Sequence, residues 1–244
     1  MAVPAKSFQS WRAAIAPGES NADLCRKTGI KRSTLAQQIV RGKVSEITVV
    51  RVARAYGRNP VEALSDFDEY SDLLSGPWRP STAELVSQVS YVCILKMILA
   101  RATQGGTAGH EAGNNIAEFG HSNAIRSWFE AVDPGDLRQR LSAKTGVAPQ
   151  NISAQLSAGR LAPELAVEAA RLANASLPGG LVAIGLVTPG EAGWPEGGQE
   201  SALASLSDSE LVLLARDRLD ALGKLMRKLE HDEENELTLL EQLG

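Results

Sequence analysis

Apolar residues recur every three or four positions along most of this chain, and strict alternation of apolar and polar residues is rare, so its elements are predicted to be helices. Phe8, Trp11 and Ile15 share one face at i, i+3 and i+7, and Pro17-Gly18 ends that segment. Ser20 is placed to cap a second helix over 21–28 with Leu24 inward. Gly29 follows, where a left-handed residue closes the helix and starts a tight turn, and Ile30 plugs the core. A third helix over 33–40 turns Leu35 and Ile39 inward and ends at Gly42. A fourth is predicted over 47–56 and a fifth from Pro60 to Leu64.

The same pattern returns at an offset of 117 residues, without a gap, between 10–54 and 127–171. Ser10-Trp11 matches Ser127-Trp128, Pro17-Gly18 matches Pro134-Gly135, and Lys27-Thr28-Gly29 matches Lys144-Thr145-Gly146. Gln38, Gly42 and Ala53-Arg54 match Gln155, Gly159 and Ala170-Arg171. Shared tryptophans and glycines do not follow from helical periodicity, so the chain carries an internal repeat.

Between the copies lies an acidic linker, Asp66 to Asp72, followed by Gly76-Pro77-Trp78-Arg79-Pro80. Ser81 with Glu84 makes a capping box for one long helix reaching about Thr103, apolar almost all round from Val89 to Leu99 and therefore expected to be buried. Pro189 to Gly198 is expected to be a flexible linker. Ser207 with Glu210 caps a last helix to about Leu243, in which Val212, Ala215, Leu219, Leu222, Met226 and Leu229 follow a/d spacing and Leu237, Leu240 and Leu243 resume it shifted. That stripe either pairs two copies of the chain or packs on its own protein.

Composition changes the picture mainly through charge. The net charge is −4, which by itself argues against nucleic acid. Residues 1–60, however, hold 11 Lys and Arg against 3 Asp and Glu, net +8, whereas 61–122, 123–187 and 188–244 carry −5, +1 and −8. Local positive charge, not the total, displaces counterions from DNA. Cys25 and Cys93 stand alone and are expected to be free thiols of a reducing compartment. The opening residues lack a signal-peptide core and the most apolar run, Tyr91 to Ala100, is too short for a bilayer, so a cytoplasmic protein with no membrane partner is expected. His110-Glu111 lacks the second histidine of a metalloprotease helix, with Asn114 in its place, and no metal site is expected there. No phosphate loop, dinucleotide fingerprint or nucleophile–base arrangement is present, so neither an enzyme nor a cofactor is expected.

Helix, glycine turn, helix is the arrangement of DNA-reading helix-turn-helix units. The third helix leaves Lys31, Arg32, Ser33, Thr34, Gln37, Gln38 and Arg41 outside, types that reach guanine, adenine and phosphate. The stretch from Ala22 to Leu64, with Leu24, Gly29-Ile30, Arg32-Ser33-Thr34-Leu35, Ile39, Arg41-Gly42-Lys43, Ala53 and Tyr56, resembles the XRE (lambda-repressor/Cro-like) family. The resemblance covers about 60 residues. It implies a five-helix domain whose third helix enters the major groove, with Arg32, Ser33, Thr34, Gln37 and Gln38 on DNA, and Ser20, Asn21, Arg41 and Lys43 on phosphate. The second copy would present Gln150, Asn151, Ser153, Ala154 and Gln155, with Lys144 and Arg160 on the backbone. It is less basic, and either reads DNA too or serves protein contacts.

The expected fold class is therefore all-α: two lambda-repressor-like units joined by a long helix, plus a C-terminal helix, divided as 1–75, 81–187, a linker 188–206, and 207–244. The expected role is a sequence-specific transcriptional repressor of the phage immunity type on double-stranded operator DNA, with a homodimer through 207–243 as a possible assembly. The alternative is an interaction protein, such as an antitoxin or co-regulator, in which only the first unit binds DNA.

Overall fold

A computed structural model describes residues 2–76, 79–104 and 124–243. The described chain is mostly helical. In order, a short strand β1 (Val3–Pro4) precedes α1 (Ala5–Ile15), α2 (Asn21–Thr28) and α3 (Arg32–Val40). Strand β2 (Lys43–Val44) pairs antiparallel with β1, and α4 (Glu46–Ala55) and α5 (Pro60–Ser65) follow. A 3₁₀ turn over Asp68–Tyr70 leads to α6 (Thr82–Ser87) and α7 (Tyr91–Gln104). The second half holds α8 (Ala124–Val132), α9 (Leu137–Thr145), α10 (Pro149–Ser157), α11 (Pro163–Ala173) and α12 (Leu177–Ala183). Helices α13 (Gly198–Ala204) and α14 (Asp208–Leu243) complete the chain.

The repeat is visible in the element boundaries. Helices α3, α4 and α5 begin at 32, 46 and 60, and α10, α11 and α12 begin 117 residues later at 149, 163 and 177. Each half closes on its tryptophan: Trp128 is fully buried, and Trp11 nearly so against Phe8 and Phe67. Trp11 donates to Asp66 at 2.9 Å and Trp128 to Glu84 at 3.4 Å. One continuous apolar cluster runs through both halves, from Val3 through Tyr70 and Leu73 to Val187 and Trp194.

Four expectations change. The predicted long helix from Ser81 is two helices. Ser81 and Glu84 do form the capping box of α6, but that helix stops at Ser87. The Gln88 side chain then turns inward and donates to Ala124 O at 3.1 Å, and Ser90 starts α7 afresh by accepting from Cys93 N. Nor is α7 buried all round. Ile94 is fully enclosed, while Val92 and Leu99 lie on the surface. The stretch 188–206 is no flexible linker: Ala192 and Trp194 are in the core and 198–204 is helical. The acidic segment 66–72 is likewise folded, because Phe67 and Tyr70 between its carboxylates and Leu73 directly after them are buried.

Helix α14 has the predicted cap, with Ser207 Oγ donating to Glu210 at 2.7 Å. Its first turns pack Leu211 and Ala215 on Val89, Ile94 and Leu203. Arg218 holds it to the second half by donating to Ser127 Oγ and to Ser87 O. Of the proposed a/d stripe, Ala215 faces this packing, whereas Val212, Leu219, Met226 and Leu229 are exposed. The side chains of Leu237, Leu240 and Leu243 lie outside the described residues, as do His110 and Glu111. Cys25 is buried, Cys93 half-buried, and both are free.

Candidate nucleic-acid interface

Helices α2 and α3 are set at an angle by one left-handed residue. Gly29 has φ 67°, a conformation that costs a side-chain-bearing residue energy, and Gly146 repeats it at 74°. The threonine before each glycine locks the turn. Thr28 Oγ1 donates to Leu24 O at 2.8 Å and accepts from Ile30 N at 3.4 Å. Thr145 makes the matching bonds to Leu141 O and Val147 N at 2.7 and 3.3 Å. Ile30 enters the core and Val147 packs against it, which fixes where α3 and α10 begin.

The outer face of α3 is open. Lys31, Arg32, Ser33, Thr34 and Gln37 are exposed, as are Arg41 and Lys43 just beyond. Among the described residues, none of these four cations has an acidic partner. The contrast within the same half is instructive. Arg54, Arg58, Arg26 and Lys27 each lie within 4.0 Å of a carboxylate. Lys27 is additionally stacked 4.6 Å over Tyr56, whose hydroxyl donates to Glu19. Burial and that carboxylate push the Tyr56 phenol up to about 12. Positive charge is therefore neutralised at these four positions. Among the described residues it is left without a carboxylate partner at all four cations along the edge that α3 presents, as it also is at Lys6, Arg12 and Arg51.

Sequence reasoning missed Val40, which is 87% exposed and shares a face with Ser33 and Gln37 at i+7 and i+3. An exposed valine at the end of a polar helix face was available as a signal.

Gln38 and Gln155 occupy a different position from the other predicted contacts. Gln38 Oε1 accepts from Ser45 N at 3.3 Å and from Thr48 Oγ1 at 3.0 Å, while Nε2 donates to Ser45 Oγ at 3.1 Å. Gln155 Oε1 accepts from Ala162 N at 3.2 Å, the equivalent amide. Gln38 thus holds α3 to α4, and Gln155 holds α10 to the start of α11. Ser20 is also engaged: its hydroxyl accepts from Asp23 N at 3.2 Å and donates to the Asp23 carboxylate at 2.5 Å, which holds that acid below its usual range. Asn21 accepts from Arg12.

In the second half Gln150, Asn151 and Ala154 are exposed on α10 and Ser153 is half-buried. Lys144 and Arg160 are exposed and unpaired among the described residues. Lys144 matches Lys27, but Asp136 and Ala173 stand where Glu19 and Tyr56 would restrain it. Arg138, the counterpart of Asn21 at the start of α9, is a further exposed, unpaired cation, and the repeat register alone would have indicated it.

Comparison with family models, with curated proteins and with solved structures returned no match.

Among the described residues there is no group of acids, histidines and cysteines able to hold a metal, and no helix long and apolar enough to cross a membrane. The interface is thus an array of hydrogen-bond donors and fixed positive charge. Such a surface can bind a polyanion and discriminate among base edges.

Proposed function

We propose that the chain is a sequence-specific duplex-DNA-binding regulator in which each half is a helix-turn-helix unit of the lambda-repressor kind. The observation that carries this reading is the uncompensated face of α3. Arg32 and Gln37 are the direct readers, Arg for guanine and Gln for adenine, and Val40 touches a thymine methyl. Ser33 and Thr34 bond base edges or phosphate, and Lys31, Arg41 and Lys43 neutralise phosphates. In the second half Gln150 and Asn151 read, while Arg138, Lys144 and Arg160 meet the backbone. Gln38 and Gln155 position the reading helices. A protein bound this way over a promoter excludes polymerase, which makes it a repressor, and the resemblance to phage immunity repressors supports that role.

A narrower reading has one observation in its favour: α10 itself carries no cation, so the second half could serve assembly alone. The two are separated by selecting duplexes from a random pool with the full chain and with a Gln150→Ala/Asn151→Ala variant. Base preferences lost from one segment of the site assign reading to α10, and an unchanged site assigns DNA contact to the first half alone. With six phosphate-neutralising side chains, the logarithm of affinity should fall with the logarithm of salt at a slope of roughly −5. A slope near zero would remove the proposal altogether.

A further inference from the structure

The two halves meet through a pair of arginines that are themselves repeat equivalents. Arg54 Nη2 donates to Leu186 O at 3.1 Å, and Arg171 Nη2 donates to Glu69 O at 3.2 Å. Position 54 maps on 171, and position 69 maps on 186, both by the same offset of 117. Each guanidinium then grips a carboxylate with two bonds a few residues further on. Arg54 holds Glu191 at 2.7 and 2.7 Å, and Arg171 holds Asp72 at 2.6 and 2.7 Å.

This reciprocity decides the symmetry. In head-to-tail packing, one arginine would reach the other half and its equivalent would face away. Contacts in which residue i of one unit meets j of the other, and j meets i, belong to a two-fold arrangement. The symmetry is approximate: Asn59 and its equivalent Ser176 cap α5 and α12 alike, but they are different residues, and Asn59 uses its amide nitrogen to donate to Glu191 O at 2.9 Å. The clasps come from the ends of α4 and α11 and from the segments after α5 and α12. The outer residues of α3 and α10 take no part in them.

We propose that one copy of this chain acts as a built-in dimer, and that its ligand is a duplex carrying two half-sites in inverted orientation but of unequal sequence. This rests on the DNA-binding reading above. An approximate two-fold axis relates α3 to α10, and duplex DNA offers two-fold-related half-sites to such a pair. The half-sites must differ because the readers differ: Arg32, Ser33, Thr34 and Gln37 stand where the second half has Pro149, Gln150, Asn151 and Ala154. The first half-site would hold guanine under Arg32, and the second would be richer in adenine. Because the units are already joined, the second contact forms without a second molecule.

The test takes sites selected by the full chain and rebuilds them with the two half-sites inverted, directly repeated or single. Affinity is measured by anisotropy and stoichiometry by native mass spectrometry. One chain per duplex and at least about tenfold preference for the inverted arrangement over the direct repeat are expected. Arg54→Met/Arg171→Met should abolish that preference while leaving single half-site affinity and the helical circular dichroism unchanged. Equal or better binding of the direct repeat by the native chain overturns the inverted arrangement and leaves DNA binding intact. A symmetric palindrome filled by two chains does the same. Absence of any sequence-selected duplex overturns the DNA-binding reading itself, and this proposal with it.

Discussion

At the scale of single residues, Gln37 and Gln38 are adjacent, chemically identical and differently employed. Gln37 points to solvent, and Gln38 is consumed by the turn between α3 and α4. Gln37→Ala should leave the unfolding midpoint unchanged and relax preference at one base pair. Gln38→Ala should cost about 1–2 kcal/mol in denaturant unfolding, because it strands the Ser45 amide and leaves the Thr48 hydroxyl with only Ser45 Oγ as a partner. Arg32→Ala should weaken cognate DNA by about 1–3 kcal/mol and flatten preference at one position, measured by competition against single-base variants. Glu46 gives a pH-dependent prediction. Burial raises its carboxyl above the usual 4.5, and the Tyr70 hydroxyl, donating at 2.6 Å, offsets only part of that. A folded value above the unfolded one means the protonated form is favoured by folding. Stability from this group is therefore full below pH 4.5 and declines as pH rises through the folded value. Glu46→Gln should remove that decline, seen as a higher melting temperature than native at pH 7 and a similar one at pH 4.

At the scale of elements, start signals were legible wherever the cap is local. Ser20, Ser81 and Ser207 each accept from a backbone amide three residues ahead. Stop signals were legible where a glycine takes the left-handed conformation, as at Gly29 and Gly146. The end of α6 was not legible, since Gln88 is a good helix former and leaves the helix for a carbonyl 36 residues away. Close helix contact is similarly nonlocal. A Cβ at Gly180 would lie 2.6 Å from Ala166 O, a backbone atom of α11 that cannot move alone, whereas Gly190 faces open space. Gly180→Ala should therefore destabilise by about 1–3 kcal/mol in denaturant unfolding, and Gly190→Ala by much less.

At the scale of the whole molecule, segments of linker-like composition join the halves. Asp72 and Glu191 both titrate below their usual range, chiefly because Arg171 and Arg54 hydrogen-bond the ionised forms. A depressed folded value means this stabilisation is present above the unfolded values of 3.8 and 4.5 and disappears as pH falls through the folded ones. Acid unfolding of the native chain should consequently steepen below about pH 4, and Arg54→Met/Arg171→Met should flatten that limb. An acid limb identical in native and variant protein would show that the clasps add nothing to stability.

The sequence by itself determined the helical class, the repeat and its register, and the glycine turns, because each depends on residues within a turn or two of chain. It also located the basic segment, because the excess of Lys and Arg over Asp and Glu in residues 1–60 is a property of composition alone. Tertiary structure decided which of those polar residues are free, because a side-chain amide or carboxylate is available only if no distant group has taken it. It decided that 66–72 and 188–206 are folded, because Tyr70 and Trp194 find apolar partners elsewhere in the chain. It also decided how the two copies face each other, which rests on hydrogen bonds spanning 99 to 137 residues that no local pattern encodes.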